Sequence, residues 1–370
     1  MACRAHPGLA LASVALLACA AAAPAPAQER LRLSETDEWT PAAQVEPGSP
    51  EWQLDQIRRA IADGHYDRAE NLADTWLERH RGHALEAEAY LLRGDAFMAR
   101  GDYYESLFDY EFIARTYPGS EAFVTALERE LEIARLFASG TKRKLWGIRF
   151  VDASDEAQEL LIRVQERLPG STLAEEAGIA LADFYFSRRE MDLAATAYEL
   201  FIENYPRSDQ VSKARRRLIF AHLASFKGPE FDATGLYEAR SLLRVFQATE
   251  PAAAQRAGAD ALLVRIDESD AQKLLATARW YMRRGNMVSA EYTIRRLVRR
   301  YPTSVATVEA LRLMETILPR LSAHQRAGMP DYEAMRVGLS GTPPANPNPG
   351  AGAGAGVDRV TGGADGGGSP

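Results

Sequence analysis

The residues able to do chemistry in this chain are mostly cationic. His80 and His83 stand three positions apart, a spacing at which two imidazoles on one helix can share a metal ion. No further ligands accompany them, so they read as exposed histidines and no metal site is expected. The chain has no GxSxG elbow, HExxH helix, Walker loop or EF-hand pattern. The run Gly350 to Gly356 lacks the preceding strand and the spacing of a phosphate loop. No convergent catalytic set is therefore expected, and no cofactor. The basic runs are Lys142-Arg143-Lys144, Arg215-Arg216-Arg217 and Arg295-Arg296 with Arg299-Arg300. With a formal net charge of −7, they read as solvated helix faces balanced by acidic neighbours, which argues against nucleic acid as a partner. Three arginines stand apart. Arg188, Arg283 and Arg284 fall at the ends of predicted helices, where an exposed guanidinium can pair with a carboxylate of a partner protein.

The elements that carry those arginines are helix pairs. Ala271 to Pro302 reads as two amphipathic helices joined at Gly285-Asn286, with Leu274, Thr277, Ala278 and Tyr281 on one and Ala290, Ile294, Leu297 and Val298 on the other. Gly285 permits the positive φ that ends the first helix, and Pro302 stops the second. Twelve residues before each terminating proline lies a small residue suited to a close helix crossing: Ser106, Ala157, Ala194, Ala239 and Ala290 before Pro118, Pro169, Pro206, Pro251 and Pro302. A degenerate sixth copy has Arg81 as terminator and Ala69 at the crossing. The terminators are 37, 51, 37, 45 and 51 residues apart, a lengthened version of the 34-residue tetratricopeptide unit. Gly94, Ala182 and Ala278 are equivalent, as are Phe97, Tyr185 and Tyr281, and Tyr110, Tyr198 and Ile294. The expected fold is all-α, an α-solenoid of about five to six tetratricopeptide-like helix pairs over residues 51–320. Two irregular segments interrupt it, at 139–154 and 226–235. A helix from about Ala253 to Tyr281 is expected to lead into the last pair, and Val305 to Leu318 to cap the array. First helices should line a concave, protein-binding surface. Tyr90, Tyr185, Trp280 and Tyr281 are candidates to line it, though most are expected to be packing residues.

The two ends lie outside this pattern. Residues 1–27 read as an export signal, with Arg4 ahead of an apolar stretch from Gly8 to Ala23. Ala25-Pro26-Ala27 before Gln28 is a cleavage site for a signal peptide. Leu16-Leu17-Ala18-Cys19 is alternatively a lipobox that makes Cys19 the lipid anchor, and the residues leave both readings open. Cys3 and Cys19 are the only cysteines, so the exported domain is expected to hold no disulfide. Residues 28–50 read as a flexible tether. Residues 321–370 read as a disordered tail, rich in Gly, Pro and Ala from Gly341 onward.

The stretches YMRRGN, SAEYTIRRLVRRYP and ALRLMETI, between Ala271 and Ile317, resemble the last repeat of the BamD (YfiO) family. TAYELFIENYPRS, from Thr196 to Ser208, is similar to that family's second helix. FDATGLYEARSLLRVF, from Phe231 to Phe246, looks like the stretch after its inter-repeat insertion. The resemblance covers roughly residues 52–320. It implies a non-enzymatic, lipid-anchored scaffold on the periplasmic face of the outer membrane, with Cys19 carrying the lipid. It also implies protein partners: the β-barrel assembly machinery at the C-terminal repeats and unfolded outer-membrane proteins at the N-terminal ones. The alternatives are a soluble periplasmic location, an exported tetratricopeptide adaptor for a cell-wall, secretion or division complex, and a cell-wall binding protein or enzyme platform.

Overall fold

A computed structural model describes residues 31–33, 39–41, 46–145 and 148–340. Cys19, both processing sites and the glycine-rich run after 340 lie outside the described residues. Within the expected tether, β1 (Leu31–Leu33) pairs antiparallel with β2 (Trp39–Pro41). Six helix pairs follow: α1 (Pro50–Ala62) with α2 (Tyr66–Arg79), α3 (Glu86–Arg100) with α4 (Tyr103–Thr116), and α5 (Ala122–Ala138) with α6 (Ser154–Arg167). The next are α7 (Thr172–Ser187) with α8 (Met191–Asn204), and α9 (Val211–Ser225) with α10 (Thr234–Thr249). After the short α11 (Pro251–Arg256) comes the last pair, α12 (Ala259–Arg283) with α13 (Met287–Arg300). The chain then adds α14 (Val305–Ile317), a short α15 (Ala323–Arg326) and α16 (Tyr332–Ser340). First helices touch one another along the array, α1 on α3, α3 on α5, α5 on α7, α7 on α9 and α12 on α14.

The small crossing residues explain why the pairs close. Ala69, Ser106, Ala157, Ala194, Ala239 and Ala290 all have 0% exposure. Each lets the helix cross its neighbour at a distance that a longer side chain would not permit. The terminators act through the residue in front of them. Tyr117, Leu168, Tyr205, Glu250 and Tyr301 all lie near φ −130° and ψ +57°, outside helical geometry, as the proline ring that follows demands.

Polar side chains then tie each pair to the next. Tyr110 donates to Asp95 at 2.8 Å, and Asp95 also receives Arg129 Nε at 2.9 Å, joining α3, α4 and α5. Two repeats later Tyr198 donates to Asp183 at 2.6 Å, and Asp183 receives Lys213 at 2.8 Å as well as Arg217. Arg167 on α6 reaches Glu111 on α4 at 2.6 Å and the fully buried Glu130 on α5 at 3.0 Å.

Three expectations need correction. The irregular segment 139–154 contains a β-hairpin, β3 (Arg143–Leu145) against β4 (Ile148–Val151). Lys144 on Asp102 at 2.6 Å, Arg149 on the Gly101 carbonyl at 2.5 Å and Arg143 over the Tyr104 ring hold it to the α3–α4 turn. The helix expected from Ala253 to Tyr281 is broken at Gly258, whose φ of +71° no continuing helix can hold. The solenoid does not stop at 320. Tyr332 on α16 is 3% exposed and donates to Glu291, so α16 covers the end of the last pair as part of the fold.

Candidate protein-interaction surface

The repeat allows Arg188 and Arg284 to be compared position by position with their counterpart in the second pair. Arg100, Arg188 and Arg284 are equivalent, each at or just past the end of a first helix. Each guanidinium lies 5.2–5.4 Å from the centre of an aromatic ring: Phe97, Phe184 and Trp280 respectively. Two residues further on, Arg100 finds Asp102 at 2.5 Å and Arg188 finds Glu190 at 2.9 Å. In the last pair that position is Asn286, whose side chain accepts from the Ser289 amide and caps α13. Arg284 therefore lacks the intramolecular acid of its counterparts. It is exposed and, among the described residues, makes no ion pair. Arg283 beside it is also exposed and unpaired among the described residues. The sequence placed all three arginines together; the structure separates them, because Arg188 is already engaged.

The surroundings of Arg284 suit a partner. Trp280 is 46% exposed and stands edge-on to Tyr281 with ring centres 5.0 Å apart. Across the turn, Val288 and Tyr292 are exposed on α13. Arg279 stands where the earlier pairs have Asp95 and Asp183, and it reaches Glu309 on α14 at 2.7 Å. The end of α12 thus reverses the charge that earlier repeats carry at this point. An exposed aromatic flanked by guanidiniums can take a carboxylate-bearing surface with apolar contacts beside it.

Several residues of the basic runs are internal ties. Arg215 pairs with Glu250 at 2.5 Å, Arg217 with Asp183, and Arg295 with Glu291 through bonds of 3.0 and 2.5 Å. Arg300 lies 3.7 Å from Asp270, a carboxylate 2% exposed that also receives Tyr237 and Tyr301. Burial together with Asp270 pushes the Tyr301 hydroxyl up to about 12. This cluster joins α10, α12 and α13 where the spacing of the array changes, and α12 packs on α10 there.

His80 and His83 are half-buried rather than exposed, because both rings pack on Trp76, at 4.9 and 5.7 Å. Among the described residues no group of three or more potential ligands is placed to hold a metal ion. Of the four aromatics, Tyr185 is buried, Tyr90 and Tyr281 are half-buried, and Trp280 alone is largely open. Along the first helices, a groove of about 770 Å³ lies between α5 and α7, lined by Val124, Glu128, Leu136, Leu173 and Glu176. No helix among the described residues is long and apolar enough to cross a membrane.

No curated protein matches the chain. Among solved structures, it is similar to the C-terminal part of a TPR repeat-containing protein from Cytophaga hutchinsonii, at 13% identity and a TM-score of 0.35, covering 72% of this chain and 89% of that one. A tetratricopeptide repeat protein from Parabacteroides merdae is similar at 12% identity and a TM-score of 0.35, covering 79% and 97%. The TPR2AB domain of yeast Sti1 in its pHSP90 complex is similar at 14% identity and a TM-score of 0.25, covering 60% and 86%. A family model described as YfiO, outer membrane lipoprotein, matches residues 151–332, the span that holds α6 to α14 and the Arg284 surface. Over that span the chain is similar to the YfiO family.

Proposed function

We propose that this protein is a non-enzymatic scaffold for the assembly and insertion of outer-membrane β-barrel proteins, held at the periplasmic face of the outer membrane by a lipid on Cys19. In this reading the end of the last pair docks a component of the β-barrel assembly machinery, and the N-terminal repeats receive unfolded outer-membrane proteins. The observation that carries the docking site is the missing acid. Arg284 keeps the stacked geometry of Arg100 and Arg188, yet Asn286 replaces their carboxylate, so its charge is left for a partner. Arg283 adds a second exposed cation beside it, while Arg188, paired with Glu190, contributes little to docking.

The test is in-cell crosslinking and purification of the tagged protein, followed by mass spectrometry. A β-barrel protein with periplasmic domains and a diacylated Cys19 peptide are expected. Arg284→Glu should lower capture of that partner at least tenfold with unchanged helicity, and Arg188→Glu should lower it much less. Unchanged capture by Arg284→Glu removes the docking site. An N-terminus at Gln28, with wall-synthesis or secretion components recovered instead, overturns the assembly reading.

A further inference from the structure

The second-helix side of the array carries an apolar groove that the function above does not use. It lies between α6 and α8 with α7 as its floor, holds about 420 Å³, and is lined by Ile162, Leu181, Tyr185, Leu193 and Leu200. A glycine makes its depth. Gly178 is buried in the middle of α7, where glycine costs a helix roughly 1 kcal/mol relative to alanine. The equivalent positions in the second and last pairs are Tyr90 and Leu274, both partly buried and packed against the core. A Cβ at Gly178 would stand 3.1 Å from the Gln165 Oε1 and 3.4 Å from the Phe201 ring, so any larger side chain would extend into the groove.

The walls add two further features. Leu193 and Leu200 are 50% and 52% exposed, one helical stripe of α8 left without cover. The flanking charge is acidic. Glu166 lines the groove from α6, and Asp192 and Glu203 lie along the outer face of α8, where Glu203 lines the adjoining groove towards α10; all three are exposed and form no ion pair among the described residues. Arg163 is committed to Glu111 and Glu159, and Arg215 to Glu250.

We propose that the α6–α8 groove docks a basic amphipathic helix of a partner protein. Apolar side chains of that helix seat over Gly178 between Leu193 and Leu200, and its lysines or arginines meet Glu166 on α6 and Asp192 and Glu203 on α8. Charge complementarity selects this occupant over an acidic or neutral helix, and the apolar floor supplies the contact area. The groove shares no residue with the Arg284 surface on α12 and α13, so both can be filled together.

Fluorescence anisotropy of the full chain with a labelled 18-residue leucine–lysine peptide of helical periodicity tests this, with the leucine–glutamate peptide as control. Binding of the lysine peptide that weakens with added salt is expected, and no binding of the glutamate peptide. Gly178→Leu, which fills the floor, should weaken binding at least tenfold. So should Leu200→Ser, an exposed change that does not threaten folding, and Glu166→Gln with Glu203→Gln should weaken it several-fold. Equal affinity of the wild type, Leu200→Ser and the double glutamine variant overturns the proposal. So does equal binding of the glutamate peptide. Sedimentation showing self-association of the wild type that Leu200→Ser abolishes assigns the groove to a second copy of the chain instead.

Discussion

At the scale of single residues, the repeats act as internal controls for one another. The turn between the two helices of a pair places one residue at positive φ: Gly64 at +78°, Gly101 at +82° and Gly285 at +76°. In the fourth pair that residue is Arg189, at +63°, the one non-glycine residue with positive φ among the described residues. A Cβ in this region costs roughly 1–2 kcal/mol, part of which glycine returns through the greater freedom of its unfolded chain. Arg189→Gly is therefore expected to stabilise the protein by up to about 1 kcal/mol, read as a higher urea midpoint with unchanged slope. A loss of stability would mean that the Arg189 side chain makes contacts outweighing its backbone strain. The same position-by-position comparison distinguishes Arg284 from Arg188. Both are exposed arginines over an aromatic ring, and only the residue two places later tells them apart.

At the scale of elements, the C-terminal end shows how a solenoid closes. The last second helix, α13, has no following pair to cover it, and Glu291 lies on it at 1% exposure. Its carboxylate is satisfied by Arg295 from the same helix and by Tyr332 from α16. Removing the tyrosine hydroxyl leaves a buried carboxylate one donor short, a loss of roughly 1.5–3 kcal/mol for a hydrogen bond to a charged group. Tyr332→Phe should loosen α16 before the rest of the array opens. The expected readout is tryptic cleavage at Arg336 about tenfold faster or more, with little change in total helicity. Cleavage at the wild-type rate would show that apolar packing alone holds α16 in place.

At the scale of the whole molecule, stability should carry a pH dependence from one buried acid. Glu130 is fully buried on α5, and desolvation pushes its carboxyl from 4.5 up to about 7, with Arg167 opposing. An acid raised in the folded state binds its proton more tightly there than in the unfolded chain. Its contribution to stability is thus complete below about pH 4.5 and fades as pH rises through 7. The full swing is roughly 3 kcal/mol. Glu111 works in the opposite sense, since Arg167 and Arg163 hold its carboxyl below the usual range, so the comparison must isolate Glu130. Urea unfolding of wild type and Glu130→Gln at pH 5 and pH 8 does so. The advantage of the wild type should shrink by up to about 3 kcal/mol between them. A constant difference would mean that Arg167 keeps Glu130 ionised throughout.

Much of this architecture was legible in the sequence, because helix-terminating prolines and small crossing residues impose their geometry locally. The twelve-residue interval from Pro118, Pro169, Pro206, Pro251 and Pro302 leads in each case to a residue with no exposed surface. The hairpin at 143–151 was not legible, since its pairing depends on Asp102, Gly101 and Tyr104, some forty residues away. Nor was the role of Tyr332, whose segment carries little helical signal and is held by the buried Glu291 of an earlier helix. Sequence alone thus determined the repeat, the helix ends and the cationic character of the last turn, all of which depend on residues within a dozen positions of one another. Only the tertiary structure decided which arginine is left unpaired and which groove is left open, because both follow from what the neighbouring helices have already satisfied or filled.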